Sequence, residues 1–459
     1  MSKEKVIIIL CDTLRAKSLP HYGNSRNTLP NLARVIDNDF IVYNRAYAPA
    51  PWTTPSHLSL FTGLYPSQVM ETKTSFNLDP IFKTLAELFQ DSGYRTFACI
   101  ANALIAKQFG FGKGFDTFLQ LWLPDPGGDE ISLKVEGKDR LEKIMRLLQS
   151  IAAGDNRMDV IKGMRERIHK RYRDILIDAT LSTNKAMKST KRFLSENSSQ
   201  QVFCFINLMQ AHNRYNPPRV TRNTFVKRNT AHERYYNERI PLDHYATGPF
   251  SSELIEYIKL KYEEEILYLD LVIADFIDFL KRSSLYDDCT LIITSDHGEH
   301  FGEKGHVQHH FSVYEPLTRI PLYIKWSGKA ENHDKHINSL VMLQDLYTTF
   351  LNKLNHWQPC PESSFDLNSS DKRQWVISQL PDVTHDIQSC KERSPSFSMS
   401  DIGLEDTTLT AYVFNNGEKI IENGNKTLCY NLNIDPEEDK PYSTSAESLK
   451  VIKEIKSSL

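Results

Sequence analysis

Leu291-Ile292-Ile293-Thr294 runs directly into Ser295-Asp296-His297-Gly298-Glu299, and this junction decides the fold. The apolar run reads as a buried strand. It delivers an Asp-His pair at its carboxyl end, the edge where open α/β sheets collect ligands and metals. A carboxylate beside an imidazole suits a divalent ion that activates a nucleophile or polarises a phosphoryl oxygen. Alone, an Asp-His before a glycine is more often a surface turn than a ligand pair. Two distant segments shift that balance. Residues 6–10 form a second apolar run, and Cys11-Asp12-Thr13-Leu14-Arg15 follows it, again a strand pattern ending in a carboxylate. In Pro51-Trp52-Thr53-Thr54-Pro55-Ser56-His57, Pro55 fits the first turn of a helix, with Thr53 or Thr54 at or just before the N-cap. The unpaired amides of such a start favour an anion beside the threonine hydroxyls. A Thr-Pro helix start without chemistry has the same appearance.

The chain is 459 residues long, enough for a large core and one main domain with a smaller appendage. Its formal net charge of −3 argues for neither nucleic acid nor an anionic membrane as a bulk electrostatic partner. No apolar stretch approaches the roughly 20 residues that span a bilayer, and the run at 6–10 is too short for a signal-peptide core. The 7 cysteines are scattered without a CxxC pair, and Cys11, Cys99, Cys204 and Cys289 fall in or beside predicted strands. Reduced, buried thiols and a cytoplasmic location are therefore expected.

Strand-like runs occur near 5–11, 40–47, 95–100, 202–208, 289–295 and 320–325, with helical periodicity between them, as at 82–91 and 252–280. This alternation predicts an α/β fold with a mostly parallel central sheet flanked by helices. Residues 1–355 are expected to form the catalytic domain, with a basic helical insertion at about 120–200. That insertion reads as a solvated helical face or as a lid over an anionic substrate. Residues 213–250 lack periodicity, as a long functional loop does. Residues 356–459 are expected to form a C-terminal α+β subdomain. "WVISQL", "LTAYVF", "EKIIEN" and "KTLCYNL" give its small antiparallel sheet, and a stretch at 445–455 gives a terminal helix.

In this order the motifs resemble the sulfatase-like branch of the alkaline phosphatase superfamily. "VIIILCDTLRA" with "HYGN" resembles the family's opening metal-binding strand, and "PWTTPSHLSLFTGLYPS" its nucleophile helix. "GYRTFACIANALIAKQFGFGKGFD" resembles the next strand and loop, and "FINLMQAHNRYNPP" the histidine segment after it. "LIITSDHGEHFGEKGHVQHHFSVYEPLTRIPLYI" is similar to the second metal-binding stretch, and "LCYNLNIDPEE" resembles the terminal signature. Two departures bear on function. Thr53 stands where sulfatases carry the Cys or Ser that matures to formylglycine, and His57 stands where their motif has Arg. Threonine carries a β-methyl group, so it cannot become an aldehyde hydrate, and the usual sulfatase cycle is unavailable. A secondary alkoxide remains, which attacks phosphorus when a metal lowers its pKa.

The resemblance implies one divalent metal held by Asp12, Thr53, Asp296 and His297. Thr13 replaces a second Asp and His297 replaces an Asn, so the ligand set favours manganese or zinc, with calcium possible. It resembles the set of phosphonate monoesterases and of phosphoethanolamine and phosphoglycerol transferases. The resemblance further implies that His212 protonates the leaving group and that His310 contacts the substrate anion. The register among His306, His309 and His310 stays open, and one of them is a candidate for a second metal site. His57 and Asn102 are candidate donors to the substrate's non-bridging oxygens. Arg15 is a candidate partner of the metal carboxylates, and His300 reads as solvent-facing or as an outer neighbour of the metal strand. A hydrolase of phosphate mono- or diesters or phosphonate esters follows, with a small anionic substrate and a covalent Thr53 intermediate. The alternatives are a sulfuric ester hydrolase without formylglycine, a soluble phospho-alcohol transferase, and an inactive binding protein.

Overall fold

The strands follow in the order β1 (Lys5–Cys11), β2 (Ile41–Tyr47), β3 (Arg95–Ile100), β4 (Thr117–Gln120), β5 (Val202–Leu208), β6 (Cys289–Thr294), β7 (His300–Phe301), β8 (Val307–Gln308), β9 (Arg319–Ile320), β10 (Leu322–Lys325) and β11 (His336–Met342). A second group comprises β12 (Trp375–Leu380), β13 (Leu409–Phe414), β14 (Glu418–Asn423) and β15 (Lys426–Asn431). These come from a computed structural model that describes residues 4–70, 83–122, 179–238, 250–328, 334–357, 359–380, 382–443 and 446–458. Most of the insertion expected at 120–200 lies outside the described residues; its last part is the helix Ala179–Glu196.

A 9-stranded sheet runs β11-β2-β10-β6-β1-β5-β3-β4, with β9 beside β2. The pairs β1–β5, β1–β6, β3–β5, β3–β4 and β2–β11 are parallel, as the alternation predicted. β9 and β10 are antiparallel to their neighbours. The reason is the connection. The chain returns from the end of β6 through residues 295–318 without a full crossover helix, and a strand reached that way runs backwards.

β1 is apolar throughout because it is covered on both faces. Ile7, Ile9 and Cys11 pack with Tyr262, Ile266, Ile273 and Phe276 of the helix Ser252–Arg282. Val6, Ile8 and Leu10 pack with Leu58, Phe61, Leu88, Phe89 and Leu346 on the other face. The long helix begins at the Ser251 cap, whose hydroxyl accepts the Leu254 amide, and ends on Lys281 and Arg282, which suit its negative pole. The helix predicted at 82–91 begins at Leu85, because Thr84 and Glu87 close a capping box just before it.

The C-terminal strands form the antiparallel order β12-β13-β14-β15. Asn415-Asn416-Gly417 makes the β13–β14 turn, with Gly417 at φ +87° where a side chain is disfavoured. Helix Ala446–Ser458 places Ile452 and Ile455 against Val376, Val413, Ile420 and Cys429. Among the described residues no helix is long and apolar enough to cross a membrane. None of the 7 cysteines is in a disulfide, and Cys360 alone is exposed.

A buried ion pair ties the main sheet to the segment entering β12. Arg373 Nε donates to Asp345 Oδ2 at 2.8 Å, and its Nη2 donates to the Ser363 carbonyl at 2.7 Å. Asp345 also accepts the Met342 and Phe365 amides at 2.8 and 2.9 Å. Arg373→Met strands a buried carboxylate, so urea unfolding is expected to show a loss of ~3–5 kcal/mol. A loss below ~1 kcal/mol, the range of surface pairs, would contradict this reading.

Candidate active site at the strand ends

The parallel strands β6, β1, β5 and β3 lie side by side and end at one edge, with Leu10 opposite both Thr294 and Asn207. Asp12, Asn102, His212, Asp296 and His297 follow these ends directly, so their clustering is a consequence of register. After β1 the chain turns through Thr13, a β-branched residue at φ +59°. Its strain is met by a set of bonds. Thr13 N donates to Asp296 Oδ1 at 3.3 Å, its hydroxyl donates to the Ala211 carbonyl at 2.9 Å, and Tyr262 OH donates to its carbonyl at 2.8 Å. Ser295 Oγ accepts the Leu14 amide at 2.9 Å and lies 2.7 Å from the Cys11 carbonyl, fastening β6 to β1. Thr13 has therefore left the ligand role of the Asp it replaces and become a backbone fastener.

The helix Thr53–Thr62 has Trp52 as its N-cap and no side-chain cap. Thr53 and Thr54 were expected at or before the cap; both lie inside the first turn. Pro55 permits this because no amide of the first turn has an intrahelical acceptor to lose. Thr53 Oγ1 is 3.5 Å from Asp12 Oδ2 and 3.5 Å from His297 Nε2. Asn102 Nδ2 bridges the same groups, 2.8 Å from Asp12 Oδ2 and 3.4 Å from Thr53 Oγ1. His57, one turn along, gives its Nδ1 proton to the Thr53 carbonyl at 2.8 Å. Burial pushes its pKa down to about 4 despite the nearby Asp12 charge, so it stays neutral and its Nε2 is an acceptor. Donation from His57 to a substrate oxygen would need the imidazolium form that burial disfavours.

Asp12 Oδ1 and Asp296 Oδ2 are fully buried and have no hydrogen-bond partner. His297 Nε2 stands 3.9 Å from the first and 3.5 Å from the second. Its Nδ1 proton is given to the Gly298 carbonyl at 2.9 Å, which turns the Nε2 lone pair towards the carboxylates. One ligand atom from each of Asp12, Asp296 and His297 falls within 4.8 Å of the others. Burial and the Asp12 charge raise the Asp296 carboxyl well above the carboxylate range. Burial and neighbouring His309 hold His297 well below the usual imidazole value. Two orphaned carboxylate oxygens and a neutral imidazole fit a divalent cation, which would satisfy both oxygens at once. Among the described residues no other group of three such side chains converges, so the second metal expected as a possibility finds no ligand set there.

The structure brings His309 to this centre. Its ring centroid is 4.7 Å from that of His297 and 5.3 Å from that of His212. His310 lies one step outward, its ring 5.2 Å from His309. His306 packs instead beside His300 at 5.3 Å. His309 Nδ1 faces Glu299 Oε1 at 3.1 Å, and Tyr215 OH donates to Glu299 Oε2 at 2.9 Å. Burial alone would lower the His309 pKa, but the Glu299 carboxylate outweighs it and raises it, favouring the imidazolium. His212 is half-buried, with Nδ1 given to the Asn213 carbonyl at 2.8 Å. Glu299 and Tyr215 were inside the quoted motifs but received no role. A buried acid two residues after the metal histidine was the available signal. Arg15 pairs with Glu303 at 2.6 Å and not with the metal carboxylates. His300, fully buried, donates to or accepts from Ser312 Oγ at 2.9 Å and does not face solvent.

The mostly parallel central sheet flanked by helices, with its small C-terminal antiparallel sheet, is an alkaline phosphatase-like fold. A family model described as Sulfatase matches residues 4–356, and the chain belongs to that family. Arylsulfatase K of Gallus gallus is 23% identical over 380 residues, covering 76% of this chain and 63% of that protein. Choline-sulfatase of Rhizobium meliloti (strain 1021) is 23% identical over 359 residues, covering 72% of this chain and 64% of its own length. The chain thus spans less than two thirds of the length of these relatives. The crystal structure of the phosphonate monoester hydrolase of Agrobacterium radiobacter superposes with a TM-score of 0.67 at 17% identity, covering 98% of this chain and 93% of that one.

Burial and the Asp12 charge favour protonation of Asp296, so a divalent ion bound here would compete with that proton, whereas burial already favours the neutral form of His297. Affinity for a divalent ion is therefore expected to fall as the pH is lowered, with proton release on binding. Calorimetry in buffers of different ionisation enthalpy measures that release. Affinity that is independent of pH between about 6 and 8, where histidine-range titrations fall, at about constant enthalpy in all buffers, would contradict it.

Proposed function

We propose that the chain hydrolyses phosphate mono- or diesters or phosphonate esters through a covalent intermediate on Thr53. The observation that carries this reading is the position of Thr53 Oγ1, buried at a helix start and 3.5 Å from both Asp12 Oδ2 and His297 Nε2. Asp12, Asp296 and His297, with Thr53, would hold one divalent ion. Bound there, it would lower the pKa of the hydroxyl and offset charge on the transferred group. One nitrogen donor among few oxygens favours manganese or zinc over calcium, which takes six to eight oxygens.

The remaining steps belong to the chain's own groups. Thr53 Oγ1 gives its proton to Asp12 Oδ2, 3.5 Å away, and attacks phosphorus as the ester P–O bond breaks. The first-turn amides and Asn102 Nδ2 donate to the non-bridging oxygens. The His309 imidazolium, oriented by Glu299, adds positive charge where sulfatases have other cations, and takes the place expected of His310. His212 protonates the departing alkoxide. Water then attacks the phosphothreonine and returns Thr53 to its alcohol. Structural likeness to a phosphonate monoester hydrolase supports the phosphorus reading. The names of the curated relatives favour a second reading, sulfate ester hydrolysis, in which a sulfated Thr53 would lack the diol's route to product release. As part of the same proposal, six buried thiols fit a cytoplasmic protein, and residues 356–459 act as a separate supporting subdomain.

Metal-free protein reconstituted with manganese, zinc or calcium and offered p-nitrophenyl phosphate, its bis ester, p-nitrophenyl phenylphosphonate and p-nitrophenyl sulfate separates these readings. Phosphorus-ester turnover with manganese or zinc is expected, reduced about a thousandfold or more in Thr53→Ala. Sulfate turnover with calcium that survives Thr53→Ala would overturn both the nucleophile and the metal assignment.

A further inference from the structure

Lys419, Glu438 and Glu315 take no part in the chemistry above, yet they form a buried charge cluster. Lys419 on β14 has its Nζ 3.0 Å from Glu315 Oε1 and 2.9 Å from Glu438 Oε1. Glu438 Oε2 accepts the Glu315 amide at 2.8 Å, and Tyr47 OH of β2 donates to Glu315 Oε2 at 3.2 Å. The C-terminal part of the chain thus grips both the backbone and the side chain of Glu315.

Glu315 opens the short helix Glu315–Thr318. The carbonyls of its next two residues face the metal strand: Pro316 O accepts the Glu299 amide at 3.1 Å, and Leu317 O accepts the Gly298 amide at 2.8 Å. The approach leaves no slack, since a Cβ on Gly298 would lie 2.0 Å from Pro316 O. Gly298 follows the candidate ligand His297, and Glu299 holds His309. Lys419 and Glu438 are thus bonded to Glu315, and the two residues covalently following Glu315 are bonded to the backbone that aims His297 and His309. A buried lysine between a buried and a partly buried acid is costly to place, and a simple tie between two sheets could be made of apolar residues.

We propose that Lys419 and Glu438 are positioning residues: through Glu315 they fix the backbone at Gly298 and Glu299, and so set the metal affinity of a site to which they contribute no ligand. This rests on the metal reading of Asp12, Asp296 and His297. The other buried ion pair between the C-terminal part and the main sheet, Arg373–Asp345, leads to Met342 and Phe365 and supplies a control.

The test uses the full chain as Lys419→Met, as the milder Glu438→Gln, and as the control Arg373→Lys. Hydrogen exchange of the Gly298 and Glu299 amides is read without metal, and manganese affinity is read by calorimetry. Lys419→Met is expected to speed exchange at both amides about tenfold and weaken manganese binding about 10–100-fold, the range for groups that support metal ligands. Glu438→Gln should do less, because its amide oxygen still accepts from Glu315 N, and Arg373→Lys should change neither. Unchanged exchange at these amides, equal acceleration in Arg373→Lys, or faster exchange with unaltered affinity would each overturn the proposal. A wild-type chain that binds neither manganese nor zinc would remove the metal reading, and the positioning role would fall with it. If Lys419→Met does not fold, Glu438→Gln alone decides between these outcomes.

Discussion

Asp12 and Asp296 are forced together in the interior by the pairing of β1 with β6, in which Leu10 lies opposite Thr294. Removing an anion from water costs several kcal/mol even after relaxation, and placing a second beside it adds repulsion. The structure satisfies one oxygen of each. Asp12 Oδ2 takes Asn102 Nδ2, and Asp296 Oδ1 takes the Thr13 and His297 amides. The other two oxygens are left orphaned next to a neutral imidazole. An arrangement that unfavourable without a cation is what a cation site requires, and the surrounding structure can be understood as what keeps it from relaxing.

The restraint comes from both faces of the sheet. On one, the helix Ser252–Arg282 contributes Tyr262 to the Thr13 turn and uses buried acids to pin loops. Glu264 accepts the Phe225 and Val226 amides, Glu265 accepts from Gln210 two residues before His212, and Asp270 accepts the Asn31 and Leu32 amides. On the other, Leu58, Leu60 and Phe61 anchor the helix Thr53–Thr62 against Val6, Ile8 and Leu10 of β1. The helix of Thr53 shares its core with Ile292 of β6, whose Leu291 and Ile293 are held on the opposite face, and Thr53 Oγ1 meets His297 Nε2 at 3.5 Å. Neither can move without disturbing packed side chains, as preorganised electrostatic catalysis demands.

Much of this was legible before any coordinates. Asp12, Asp296 and His297 each follow a strand whose apolar run is covered on both faces, and Thr53 opens a helix whose start Pro55 signals. Their convergence follows from strand order alone, and the strands β1, β3, β5 and β6 fall where apolar runs predict them. The segment 300–314 was opaque. Lys304, Gln308 and Phe311 take positive φ, so no period carries through it, and sequence could not say which histidine turns back to the centre. Glu299 belongs to the same difficulty, because its role depends on His309 and Tyr215 reaching it. The helix start at Thr53 was misjudged by up to two residues, since proline is tolerated throughout a first turn. The reversed direction of β10 was invisible because it depends on how the chain returns, and apolar periodicity is silent about direction.

The central claim is that Thr53 is the atom-transfer site. Acid-quenching the manganese- or zinc-loaded protein during turnover of an aryl phosphate or phosphonate ester, then mapping its peptides by mass spectrometry, tests this most directly. The account requires a phosphoryl or phosphonyl adduct on the peptide bearing Thr53, absent when Thr53 is alanine. Turnover without an adduct on that peptide, with the released product carrying solvent oxygen from a single inverting attack at phosphorus, would contradict it.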